Sequence, residues 1–169
     1  MAVRTIYTYG HPVLKQVARE VPEIDDEVRR LIDDMFETMY MAGGIGLAAP
    51  QVGLDLRLIV IDTSPLDEEA NPLALVNPEI TDSWGEDIQE EGCLCLPELK
   101  VDVKRSLGVK VRGLDRDGSE VELSTEGLLA RALQHEIDHL DGLLIVDRIS
   151  NIKRKLLRTT LEKLKQEEP

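Results

Sequence analysis

A chain of 169 residues can bury about 70% of the surface its unfolded form exposes and is too short for two ordinary domains, so one domain over 1–169 is the expectation. Apolar residues make up 42%, charged residues 31% and aromatics only 3%, which excludes disordered, collagen-like and membrane compositions and argues against a base-stacking platform. A net charge of −13, from 33 acids against 20 bases, disfavours phosphate-backbone binding over most of the surface and leaves no case for DNA as a partner.

The first ten residues, MAVRTIYTYG, lack the apolar middle of a signal peptide, and no run approaches the roughly 18 apolar residues of a membrane span. The expected location is the cytoplasm, with no membrane partner. His11 is read as a surface residue near the start of a short helix, without a role. From Asp25 to Ala42 the residues Val28, Leu31, Ile32, Met35 and Met39 recur at spacings of three and four, the stripe of an amphipathic helix, and Gly43 and Gly44 stop it.

The glycine-rich run Gly43 to Gln51 connects that helix to a strand. It is no dinucleotide or phosphate loop, since the helix comes before it and the strand after, and a Lys-Ser/Thr pair is absent. It reads as a backbone-rich wall for an extended peptide, with Gln51 able to offer an amide donor to an oxyanion, or as a plain connection. Short β-rich runs follow at Leu56–Ile61, Ala74–Val76, Val101–Val103, Leu107–Val111 and Val121–Leu123, with a hairpin turn at Asp115–Gly118.

Ser124 or Thr125 is expected to cap a second helix, largely buried through Leu128, Leu129, Ala132, Leu133, Ile137 and Leu140 and ended by Gly142. A third begins after Ser150, with Ile152, Leu156, Leu157, Leu161 and Leu164 on one side. Residues 148–165 hold seven bases and only Glu162 as an acid, a local charge of +6 against −19 elsewhere. The element order is that of an α+β fold.

His135-Glu136-Ile137-Asp138-His139 matches H-E-x-x-H. A spacing of four puts both imidazoles on one helix face, where both reach one metal. A catalytic site needs a third protein ligand and an open position for water. The extended H-E-x-x-H-x-x-G-x-x-H protease pattern fails at Ile145. Glu162 offers the ligand of a zinc endopeptidase, unless it pairs with Arg158. Cys93 and Cys95, within Glu91-Gly92-Cys93-Leu94-Cys95, offer a thiolate, and they would lie on the same side of an extended strand. A structural metal module closed by both cysteines is the non-enzyme alternative. The residues alone leave this choice open.

Taken together, Gly44–Gln51, Glu91–Cys95 and Gln134–Gly142 resemble the three motifs of the peptide deformylases, in the family's order and spacing and over nearly the whole chain. The resemblance implies a fold in which antiparallel strands surround a central metal-binding helix, flanked by an N-terminal and a C-terminal helix. It implies Cys93, His135 and His139 as metal ligands, iron(II) as the metal in cells, and zinc, nickel or cobalt as replacements. The implied reaction is hydrolysis of the formyl group from N-formylmethionyl peptides, with Glu136 as general base and Gln51 and the Leu94 N–H holding the oxyanion.

Backbone groups at Gly44, Ile45 and Gly46 would bind the peptide, and Leu128, Arg131 and Ala132, stacked N-terminal to His135, would face the methionine pocket. Two residues depart from the family. Arg131 stands where an aliphatic residue is frequent, so either its stem lines the pocket with the guanidinium in water or the pocket is narrower or more polar. Replacing it is then expected to alter catalysis more than stability. Cys95 stands where serine is usual, as a redox partner of Cys93 or as a small buried residue. Family members are thought to dock on the ribosome through the C-terminal helix, here the basic one, which makes weak contact with ribosomal RNA an expectation.

Overall fold

The computed structural model describes residues 2–166; the first residue and the last three of the 1–169 span lie outside the described residues. His11 is exposed, and its ring accepts the Val13 N–H at 3.2 Å to open a short 3₁₀ turn, Pro12–Lys15. Asp25 caps α1 (Asp26–Met41) by accepting the Val28 N–H at 3.0 Å, and Asp26 and Glu27 set negative charge at the positive end of the helix dipole. The stripe from Val28 to Met39 is buried as its spacing predicts.

Seven strands follow: β1 (Gly46–Ala48), β2 (Leu58–Ile61), β3 (Leu73–Trp84), β4 (Asp87–Cys93), β5 (Leu96–Arg105), β6 (Gly108–Leu114) and β7 (Glu120–Glu126). They form an antiparallel sheet in the order β1-β2-β3-β6-β7 and a separate β4–β5 hairpin. The four residues of β2 are all buried because a helix covers each face. Leu58 and Val60 join the apolar cluster of α1, while Ile59 and Ile61 join that of α2 (Leu128–Leu140). Strand alternation therefore links the two helices through one short run.

Three expectations need correction. Part of the glycine-rich segment is itself a strand, since β1 pairs with β2 at Gly46–Ile61, Leu47–Val60 and Ala48–Ile59 and forms the sheet edge. Ser124 and Thr125 belong to β7 and cap nothing; α2 begins directly after Gly127, whose φ of +76° makes the abrupt strand-to-helix turn that a residue with a Cβ rarely adopts. The basic C-terminal helix is two helices, α3 (Asn151–Leu156) and α4 (Arg158–Gln166), broken at Leu157. Leu161 and Leu164 are buried beside Tyr9, Val13 and Leu14, whereas Ile152 and Leu156 stand 73% and 80% exposed. At about 100° per residue, Leu156 and Leu157 cannot share one narrow face, so the five leucine and isoleucine positions were never one stripe.

Candidate metal centre

From Ala130 to Leu140 every residue of α2 is buried, and His135 and His139 project from it one turn apart. Their Nε2 atoms lie 3.3 Å from each other, and Cys93 Sγ lies 3.3 Å from His139 Nε2. The three donor atoms all fall within 4.8 Å of one another. A tetrahedral ion bonded at about 2.0–2.3 Å sets neighbouring donors roughly 3.3–3.7 Å apart, so this donor set fits a single metal ion. Cys93 reaches the helix because it ends β4, where the register slips from Gly92–Lys100 to Cys93–Leu96 and residues 97–99 form a bulge, Pro97 and Glu98 exposed, Glu98 at a φ of +65°, and Leu99 still buried.

Cys95 lies in the turn between β4 and β5 rather than on an extended strand with Cys93, and it is fully buried with its Sγ 3.0 Å from Cys93 Sγ. It is not part of the three-donor group. Glu162 sits on the exposed side of α4, 4.0 Å from Lys165 and outside that group as well.

Glu136 is buried beside the histidines, 4.0 Å from His135 Nε2, and among the described residues its Oε1 has no hydrogen-bond partner. Burial pushes its carboxyl up to about 7. A Cβ on Gly46 would collide with this carboxylate, so glycine in β1 is what lets Glu136 occupy its place. Gln51 is buried in a 3₁₀ turn, Ala49–Val52; its Oε1 accepts the Ala48 N–H at 2.9 Å, which turns its Nε2 toward Cys93 Sγ at 3.6 Å. The Cys95 contact and burial push the Cys93 thiol up to about 12 in the absence of an ion, so loading a metal there displaces a proton.

One cavity of about 500 Å³ joins these groups. Gly44, Ile45, Gly46 and Gln51 line one side, Cys93 and Leu94 another, and Leu128, Arg131, Ala132, His135 and Glu136 a third. His139 is the one site residue expected from sequence that does not border it. Arg131 corrects the expectation of a head in water: it is 7% exposed, with its guanidinium turned inward onto Glu91, onto the Val103 carbonyl at 3.0 Å and onto the Asp87 carbonyl at 2.7 Å.

Sequence reasoning missed the ion network behind the histidines. Glu91 accepts His135 Nδ1 at 2.9 Å and Arg105 at 2.7 and 3.0 Å. Arg105 also reaches Asp138 at 2.9 Å, and Arg148 holds Asp138 at 2.7 and 3.0 Å. Burial alone would raise the Glu91 carboxyl, but the bonds from His135 and Arg105 outweigh it and hold it at about 2. The available signal was Asp138 inside the histidine motif, because a carboxylate on a buried helix face requires a cation from elsewhere in the chain.

An α+β chain with a Cys-His-His donor set beside a buried carboxylate is the class that fold and site define. The family model described as polypeptide deformylase matches residues 3–155. A peptide deformylase from Thermodesulfovibrio yellowstonii is 56% identical over 158 residues, covering 94% of this chain and 96% of its own. A crystal structure of a peptide deformylase from Legionella pneumophila superposes with a TM-score of 0.89 at 46% identity, covering 98% of this chain and 96% of that one. Another, from Synechococcus elongatus in complex with actinonin, gives 0.86 at 48% identity over 94% and 85%. The chain belongs to the polypeptide deformylase family.

Proposed function

We propose that this chain hydrolyses the formyl amide of N-formylmethionyl peptides, releasing formate and a free N-terminal amine. The observation that carries the reading is the convergence of the Cys93, His135 and His139 donor atoms beside a cavity that Cys93, His135 and the buried Glu136, with its unpartnered Oε1, all line. A divalent metal held by these three residues supplies a Lewis acid that acidifies water and polarises the formyl oxygen. Iron(II) is the ion we assign in cells, with zinc, nickel or cobalt able to replace it.

Glu136 takes the proton of the attacking water and passes it to the leaving amine nitrogen; a carboxyl raised toward neutrality by burial suits both transfers. The Gln51 amide, oriented by its bond to Ala48, and the Leu94 N–H donate to the formyl oxygen as its charge grows. The substrate backbone runs along Gly44, Ile45 and Gly46, the segment that leads into β1, and its first side chain enters the space bordered by Leu128, Arg131 and Ala132. A cytoplasmic location and weak ribosome contact through residues 148–165 accord with a substrate met as it is synthesised. That the Synechococcus relative was solved with actinonin makes this compound a suitable probe of the same cavity here.

Single substitutions test the assignment. Cys93→Ala, His135→Ala and His139→Ala should each lose metal and formate release, while Glu162→Ala and Cys95→Ser keep both. Loss of metal with Glu162→Ala would instead favour an endopeptidase, and equal loss with Cys93→Ala and Cys95→Ala a closed structural site.

A further inference from the structure

Glu91 carries four donors on two oxygens. Oε1 receives Arg105 Nη2 at 3.0 Å and His135 Nδ1 at 2.9 Å, and Oε2 receives Arg105 Nε at 2.7 Å and Arg131 Nη1. That fills the roughly four lone-pair sites of a carboxylate. Arg105 alone forms a two-pronged pair with Glu91, which is enough to balance its charge. A second guanidinium adds a further buried cation to a cluster that already includes Arg105 and Asp138, and burying a cation has a desolvation cost that only a specific geometry offsets. Arg131 is itself fixed from behind by two main-chain carbonyls on different strands, Asp87 of β4 and Val103 of β5. It ties the hairpin that carries Cys93 to the helix that carries both histidines.

We propose that Arg131 is a positioning residue for the metal centre: by occupying the last acceptor site of Glu91 and bracing β4 and β5, it fixes the carboxylate that orients His135. This role rests on the reading of His135 as a metal ligand. With Oε2 saturated and immobile, Oε1 presents a single direction to the Nδ1–H of His135, and the ring is held with its Nε2 lone pair toward His139 and Cys93. Without Arg131, Oε2 has an open acceptor site in a buried setting, the carboxylate can turn or admit water, and the ring loses its fixed partner. The role differs from lining the pocket. A pocket residue discriminates between first side chains, whereas a residue acting through Glu91 affects every substrate alike.

The test uses the full chain loaded with cobalt(II) or zinc, comparing wild type with Arg131→Met, Arg131→Lys and His135→Ala. Metal affinity is measured by competition with a coloured chelator, the ligand field by cobalt(II) visible absorption, and kcat and KM with formyl-Met and formyl-norleucine peptides. Arg131→Met is expected to weaken metal binding about 10-fold, within the range for loss of an outer-sphere partner. It should shift the cobalt spectrum and lower kcat equally for both peptides. Arg131→Lys, which keeps one donor for Glu91, is expected to recover part of each, and carries the test if the methionine variant fails to fold.

Wild-type affinity and spectrum in the Arg131 variants overturn the proposal, whatever happens to their melting temperature. So does an effect confined to KM or to the preference between the two peptides. Unchanged metal binding in His135→Ala overturns it together with the metal-site assignment, whereas loss in His135→Ala with none in the Arg131 variants overturns the role of Arg131 alone.

Discussion

In the proposed reaction Glu136 carries the proton, and its burial both raises its carboxyl to about 7 and leaves Oε1 without a partner among the described residues. Glu136→Gln keeps the shape and removes proton transfer; it should retain metal and lose about 10²–10⁴-fold in kcat, read by formate release with metal content measured alongside. The base acts when deprotonated, so kcat/KM of the wild type should fall as pH drops through a limb at or below about 7, since a bound cation can only lower the value. A profile flat down to pH 4 would remove Glu136 from this role. Cys95 offers a second residue-scale prediction. Its sulfur lies 3.0 Å from that of Cys93, close enough to condense with a peroxide-oxidised Cys93 and form a disulfide with loss of water. Zinc-loaded wild type, in which the ion holds Cys93 as the thiolate that peroxide attacks, should lose metal on peroxide treatment and regain metal binding after dithiothreitol, and Cys95→Ser should not; equal recovery would leave Cys95 as a small buried residue.

Elements explain which parts of the molecule were legible in the sequence. The α1 stripe, the Asp115–Gly118 turn and the histidine spacing are local periodic signals, and each reappears with its expected partners. The second half of β3 is not local in this sense: Glu79 to Ser83 are exposed, Asn77 takes a φ of +52°, and register shifts follow Val76 and Ile80, so no apolar alternation marks pairing with β6. The ion network was hidden for a related reason, since Glu91, Arg105, Arg131, Asp138 and Arg148 come from three elements and the segment after α2. That network has a signature in acid. Glu91 is held at about 2 against an ordinary value of 4.5, so its contribution to stability is present above about pH 4.5 and lost as pH falls toward 2. Urea unfolding followed across that window should show a shallower pH dependence in Glu91→Gln than in wild type, even though the variant is less stable throughout; parallel curves would contradict the assignment.

At the scale of the molecule the net charge of −13 divides into an acidic body and a basic end. Within that end Arg148 and Arg154 are engaged with Asp138 and Asp147, while Lys153, Lys155, Arg158 and Lys163 stand exposed. Deleting the segment would strip Leu161 and Leu164 from the core, so charge reversal is the cleaner probe of ribosome contact. Lys153→Glu with Lys155→Glu and Arg158→Glu should reduce cosedimentation with ribosomes at low salt and leave formate release from a short peptide unchanged; cosedimentation equal to wild type would end the proposal. The claim on which everything else depends is that the Cys93, His135 and His139 centre hydrolyses a formyl amide. Anaerobically purified protein given formyl-Met-Ala-Ser, with metal content measured in the same sample, should release formate in proportion to bound metal, and a fully metal-loaded sample that releases none would contradict it.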